Sequence, residues 1–164
     1  MISTLEMKII KASREKISDI VMLNAFAQGI HHDQHPDIFK PPQDDPELAA
    51  FFQSIISREN NVILVAYIKG APAGYIWAAF EKRPDNPLKY GKRRVTIHQI
   101  AVHANHRKKK IGTALFQEIQ ELAKMEGIDH FEMDSWAFNT DAHLFFQKLG
   151  FETFNIKMWR KPGL

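Results

Sequence analysis

Gln99-Ile100-Ala101-Val102-His103-Ala104-Asn105-His106-Arg107-Lys108-Lys109-Lys110-Ile111-Gly112-Thr113-Ala114-Leu115 changes character twice within one short stretch. Its β-branched opening reads as the end of a strand over residues 94–102. Four consecutive cations follow. Ile111, Leu115, Ile119 and Leu122 then recur at helical spacing over residues 111–126, and Gly127 ends the pattern. Strand, basic loop and helix start thus follow one another without a gap. The first amides of a helix lack an intrahelical acceptor, and the helix dipole puts partial positive charge beside them. Arg107, Lys108, Lys109 and Lys110 add full charges in front of that end. Such a place suits an anion, most naturally a pyrophosphate. Gly112 permits close approach of backbone and ligand. The bland alternative for the basic run alone is a solvated loop before an ordinary helix.

The flanking chain supplies the rest of a sheet. Residues 7–11 read as a short strand. Ser13 is placed to cap a helix beginning at Arg14, with Ile17, Ile20, Val21 and Leu23/Asn24 near helical spacing and a fade around Gly29. Residues 31–43 carry three prolines and read as a loop or broken helix. Asp45-Pro46-Glu47 is a strong helix start, continued by Leu48, Phe51, Phe52 and Ile55. Residues 62–68 and 74–80 form a hairpin around Lys69-Gly70, and 83–91 is a charged loop. Strands are expected at 130–136 and 151–159, with a helix at 139–149 between them. The order β, α, α, β, β, β, α, β, α, β predicts a mixed α/β domain. One mostly antiparallel mixed sheet with helices on both faces would bury every apolar stripe.

Composition agrees with a single domain over residues 1–164. The chain is 45% apolar and 25% charged, which excludes a disordered or fibrous protein. It has no cysteine, so disulfides, thiolate metal sites and a cysteine nucleophile are excluded together. No apolar run approaches the roughly 18 residues of a membrane span, and the N-terminal residues lack a signal-peptide pattern. A cytoplasmic protein with no membrane partner is the expectation. The net charge of +3 is mild. Lys89-Tyr90-Gly91-Lys92-Arg93-Arg94 mixes a tyrosine with four cations, but a solvated loop is favoured over a nucleic-acid contact.

A second segment sharpens the reading. Asn139-Thr140-Asp141-Ala142-His143-Leu144-Phe145-Phe146-Gln147-Lys148-Leu149-Gly150-Phe151 is, on its own, a capped helix with a core face and a glycine stop. In this order, the two segments together resemble the GNAT superfamily of acyl-CoA-dependent N-acyltransferases. That family carries Q/R-x-x-G-x-G/A at a helix start, matched by Arg107-Lys108-Lys109-Lys110-Ile111-Gly112. It also carries N-x-x-A-x-x-F-Y-x-K-x-G-F, matched at Asn139, Ala142, Phe145, Lys148, Gly150 and Phe151.

The resemblance implies a splayed sheet with acetyl-CoA, a co-substrate, in the splay. It implies that the strand Ile100-Ala101-Val102 carries the pantetheine arm, through backbone groups of Ile100 and Val102. It implies that amides from Lys108 to Thr113 hold the pyrophosphate, with Asn139 and the helix bearing Phe146 on the cofactor's other side. Two positions depart from the family pattern. Lys110 stands where the first motif glycine is usual. Phe146 stands where a tyrosine commonly protonates the leaving thiolate, which leaves the general acid unassigned among a water, the substrate ammonium, Tyr67, Tyr75 and Tyr90.

Acyl transfer to an amine needs a neutral amine, and deprotonating an alkyl ammonium at pH 7 costs about 4.6 kcal/mol. A positioned base, often acting through one water, handles that proton. His98 lies on the strand leading to the cofactor site and has a suitable intrinsic pKa. Asp134 and Glu132 share one face of the neighbouring strand, and Asp134 is the second candidate for the base, with fixing a loop or orienting substrate as its plainer roles. A backbone amide near residues 100–102 is expected to stabilise the oxyanion. With no cysteine and no G-x-S-x-G elbow, direct attack of the amine on the thioester is expected.

His31 and His35 are four apart, but Pro36 follows at once and no further ligand set is evident, so no metal site is expected. The stretch around them reads instead as a polar acceptor wall, with Phe39, Phe51 and Phe52 as contributors or core. The leading reading is an acetyl-CoA-dependent N-acetyltransferase for a small primary amine. The alternatives are a protein lysine or N-terminal acetyltransferase, a non-catalytic acyl-CoA-binding module, and a nucleic-acid-binding domain. The last strand offers an edge for a homodimer.

Overall fold

A computed structural model describes residues 7–43 and 45–160. Two compact units are present, 1–134 and 135–164. The larger unit holds a five-stranded sheet in the order β1-β2-β3-β4-β5, built from β1 (Met7–Lys11), β2 (Asn61–Ile68), β3 (Ala71–Arg83), β4 (Lys92–Val102) and β5 (Phe131–Met133). Neighbours are antiparallel except β4 and β5, which are parallel. Its helices are α1 (Ile17–Gln34), α2 (Pro46–Ile56) and α3 (Ile111–Met125). The smaller unit contains α4 (Thr140–Lys148).

Alternation along β2 assigns the two faces. Ile63, Val65 and Tyr67 join Ile20, Val21, Leu23, Phe52 and Ile55 in the core beneath α1 and α2. Leu64 and Ala66 are also buried, so they face the opposite layer, where α3 packs on β2, β3 and β4. The β2–β3 turn is tight because Lys69 and Gly70 both take positive φ, 50° and 83°, the requirement of a two-residue hairpin loop whose twist matches the strands. The strand therefore resumes at Ala71, earlier than the expected residue 74. Pro72 is tolerated because the ladder with β4 begins only at Gly74.

Four other expectations are corrected. α1 does not fade at Gly29. It continues to Gln34, and the cap residue His35 precedes Pro36, whose ring disfavours helical backbone in the residue before it. A glycine inside a helix costs only about 1 kcal/mol relative to alanine, so the proline is the effective stop. Its start also differs: a short 3-10 turn, Arg14–Lys16, precedes α1, and Ser13 makes no side-chain cap. Residues 151–159 form no strand; Phe154, Ile156 and Met158 in this stretch are exposed. Their alternating apolar pattern states a propensity, and no ladder partner in the described residues realises it. The expected strand 130–136 shrinks to Phe131–Met133.

Gly74 fixes how closely β3, β4 and α3 approach. A Cβ there would lie 2.9 Å from the Ala101 carbonyl oxygen and 3.2 Å from Ile111 Cγ2. The first contact is with backbone, so it cannot be relieved by a side-chain rotation. Gly74→Ala is expected to destabilise the protein by about 2 kcal/mol, measured as a lower urea midpoint with an unchanged slope.

Candidate active site

β4 is longer than its pairing on one side. Its antiparallel ladder with β3 covers residues 92–102, but β5 pairs only with Val95, Thr96 and Ile97. From residue 98 to Val102, that side of β4 carries no strand among the described residues. The polar main-chain groups on a free strand edge are available to an extended ligand that adds itself as a strand. Ile100, Ala101 and Val102 lie in this segment.

The ladder is also interrupted here. Trp77 pairs with Gln99 and Ala78 pairs with Ile97, so His98 is the extra residue of a β-bulge. Bulges leave a residue out of register and redirect its side chain. The His98 ring lies on the Trp77 indole, centroids 4.5 Å apart, and Trp77 meets Phe51 edge-on at 6.0 Å. Burial is the largest influence on His98 and lowers its pKa below the ordinary histidine value. Glu81 and Asp134 oppose that shift, and Arg94 adds to it. The imidazole is therefore predominantly neutral, and able to accept a proton, at pH 7. Asp134 is exposed and close enough to act on His98 electrostatically.

Glu132, by contrast, is already engaged. It receives a 2.6 Å bond from Arg94 Nη1 and meets His130 Nε2 at 2.8 Å. Burial works to raise its pKa, but the bond to His130 and the charge of Arg94 outweigh it and hold the carboxylate lower than usual. Of the two carboxylates on this stretch, Asp134 is the one left to face His98. The cation cluster 89–94 is partly neutralised in the same way: Arg93 pairs with Glu126 at 3.0 Å, and Arg94 with Glu81 and Glu132.

Beyond Val102 the chain makes a short 3-10 turn, Ala104–His106, and reaches α3. Lys108 and Lys110 have φ of 60° and 62°. Lys110 is the N-cap in left-handed conformation and makes no side-chain cap bond. The first intrahelical bond to its carbonyl comes from the Ala114 amide. The amides of Ile111, Gly112 and Thr113 are left over as first-turn donors. Left-handed residues alternating with ordinary ones turn successive N–H groups into an anion-binding concavity. Arg107, Lys108, Lys109 and Lys110 are all exposed around it. The motif position that glycine usually fills thus has the backbone shape of a glycine, with a lysine bearing the strain. That chain conformation fits a diphosphate.

α1 and α2 flank a cavity of about 360 Å³ lined by Asn24, Gln28, Lys40, Asp45, Glu47 and Phe51 together with Pro41, Gln43 and Leu48. Asp45 caps α2 through a 2.7 Å bond from the Leu48 amide. Phe51 is half exposed and lines this space, whereas Phe52 is buried core. In the tail of α1, His31 Nδ1 and His32 Nδ1 sit 2.8 Å from the carbonyls of Ala27 and Phe39. No group of three metal-ligating side chains occurs among the described residues.

In the smaller unit, Asn139 caps α4, accepting a 3.3 Å bond from the Ala142 amide. Phe146 is buried, edge-on to Phe145 at 5.0 Å and Phe151 at 5.2 Å. Of the tyrosines held open as general acid, Tyr67 donates to Asp19, Tyr75 is buried and hydrogen-bonded, and Tyr90 is exposed on the 84–91 loop.

The model of the acetyltransferase (GNAT) family matches residues 27–151, and the chain belongs to that family. No curated protein matches it. Among solved structures, it is similar to a tetramutant of the BH1408 protein from Bacillus halodurans (22% identity, TM-score 0.86, covering 94% of this chain and 99% of that one). It is also similar to an aminoglycoside antibiotic 6'-N-acetyltransferase from Acinetobacter baumannii (21%, 0.73, 96% and 99%). A third similar structure is an acetyltransferase in complex with the bisubstrate analog CoA-S-monomethyl-acetylneamine (18%, 0.72, 94% and 97%). These likenesses show the fold.

Sequence reasoning did not reach the bulge at His98, because a one-residue register shift leaves no signature in composition. It also missed the position of Asn24, although a lone amide within the apolar stripe of α1 was a signal. The left-handed cap yields a direct prediction. Lys110→Gly relieves about 1 kcal/mol of backbone strain and is expected to raise the urea midpoint accordingly. Coenzyme A affinity should fall by no more than about threefold, the loss of one exposed charge.

Proposed function

We propose that the chain is an acetyl-CoA-dependent N-acetyltransferase acting on a small primary amine. The observation that carries this reading is the continuity of a free β4 edge, from the bulge at His98 to the left-handed cap at Lys110. An extended pantetheine arm would pair with Ile100, Ala101 and Val102, and its diphosphate would take the amides from Lys108 to Thr113 with Arg107 and Lys109 nearby. That length of free edge brings the thioester to the bulged residues.

The cavity between α1 and α2 supports a small acceptor. Its volume lies at the lower end of the range for small-molecule sites, and polar and charged side chains dominate its lining. Similar structures include aminoglycoside acetyltransferases, which act on amines.

In the proposed reaction the amine nitrogen attacks the thioester carbonyl carbon. The C–S bond breaks and the coenzyme A thiolate leaves. His98, acting directly or through one water, takes the amine proton, and Asp134 favours the imidazolium that results. A β4 amide near the bulge stabilises the developing oxyanion. The thiolate regains a proton from solvent or from the amine, since Phe146 carries none.

Thiol release with 1,4-diaminobutane, 2-aminoethanol, glucosamine, phenylethylamine and a lysine peptide tests the reading. We expect turnover with at least one small amine and none above background with the peptide. A peptide preference would favour the protein-acetylating alternative, and thiol-free binding of acetyl-CoA would favour the sensor. Because burial lowers the His98 pKa, the acidic limb of kcat/KM should lie at lower pH than an ordinary histidine would give. His98→Gln should lower kcat about 100-fold and remove that acidic limb, with acetyl-CoA binding retained. Asp134→Asn should cost less and move the limb further down in pH.

A further inference from the structure

We infer that Asn24 receives the acceptor amine, with its side-chain oxygen as the receiving atom, and that Tyr75 and Gln99 hold that oxygen in place. The inference rests on the acetyltransferase reading and names the residue through which the same site recognises its amine.

Asn24 lies on α1 beside Ile20, Val21 and Leu23, all buried. A buried amide among aliphatic neighbours must find partners or destabilise the fold. Asn24 finds them on the sheet. Its Nδ2 donates to the Tyr75 hydroxyl at 3.1 Å and to Gln99 Oε1 at 3.2 Å. The Tyr75 hydroxyl in turn donates to Gln99 Oε1. The three groups close a triangle in which every inward donor has an acceptor.

An amide nitrogen has two hydrogens, and both are used inward. Oδ1 is what remains, and no described residue donates to it. Asn24 also lines the cavity between α1 and α2. The wall of that cavity therefore presents a fixed acceptor oxygen, the complement of an ammonium. Around it, Asp45 and Glu47 contribute two carboxylates against the single cation Lys40, whose 3.6 Å contact with Glu47 is highly exposed.

The triangle also joins the cavity to the strand that would carry the thioester. Gln99 directly follows the bulged His98, and it is the residue opposite Trp77. Tyr75 lies on β3 opposite Ala101. Its hydroxyl is fully buried, and burial holds its pKa far above neutrality. It remains a protonated donor throughout the working pH range, so the orientation of the Asn24 amide does not switch with pH. Asn24 would touch substrate; Tyr75 and Gln99 act through it as positioning residues.

Titration calorimetry of 1,4-diaminobutane into the full chain saturated with coenzyme A tests this without requiring turnover. Asn24→Leu keeps the Tyr75–Gln99 bond and should weaken diamine binding about tenfold. Asn24→Asp places a charged oxygen in the wall and should tighten it about tenfold. Tyr75→Phe, which frees the amide, should weaken it about threefold. Coenzyme A affinity should stay within about twofold throughout, a pattern that a merely structural network would not give. Diamine affinity unchanged in both Asn24→Leu and Asn24→Asp would overturn the inference. So would no diamine binding by the unmodified protein, or a parallel loss of coenzyme A affinity in every variant. Should Asn24→Asp not fold, the comparison of Asn24→Leu with the unmodified chain decides. Asn24-dependent diamine binding without thiol release would leave this inference standing and sink the catalytic reading. Thiol release with Asn24-independent binding would do the reverse.

Discussion

β4 outruns its parallel partner, and the candidate site follows from that mismatch. Three residues of β4 pair with β5, and the strand then continues to Val102 with one side free of any described strand. Main-chain N–H and C=O groups on a strand edge seek partners. A ligand with its own extended amide chain can supply them. The parallel pairing also requires a crossover, and that crossover is α3, so a helix start follows directly on the end of the free edge. Edge, loop and helix start come from one connection, and the proposed diphosphate and arm sites are two ends of it.

The loop between them shows local conformation and electrostatics agreeing. Lys108 and Lys110 hold left-handed backbone that a glycine would adopt at no cost. The conformation gathers N–H groups toward an anion, and the same two side chains add charge around it. At the other end of the edge, the His98 ring lies on Trp77, its pKa is lowered by desolvation, and Asp134 offers a counter-charge. In the proposed reaction one end of this edge would hold negative charge and the other would accept a proton.

Much of this was legible in the sequence. The hairpin at Lys69-Gly70, the Asp45-Pro46 helix start and the stripe Ile111, Leu115, Ile119 are local signals, each set by backbone preference or period, and the structure forms each of them. The strand-loop-helix stretch from Gln99 to Leu115 marks the proposed site in the sequence because the chemistry it offers lies in the main chain and in adjacent side chains. What failed depended on competition or on distance. Gly29 reads as a stop, but Pro36 is the stronger one. The 151–159 pattern states a strand propensity that needs a partner to become a strand. Glu132 shares a face with Asp134 in the sequence, and only the fold brings Arg94 and His130 onto it. The Asn24, Tyr75 and Gln99 triangle joins residues from α1, β3 and β4, and only the tertiary fold brings them together.

Amide hydrogen exchange with and without coenzyme A reads the central claim at the atoms it concerns. The account predicts slowed exchange confined to two stretches, residues 98–102 on β4 and 108–113 at the start of α3. Protection elsewhere with neither stretch affected, or no protection at saturating coenzyme A, would contradict it.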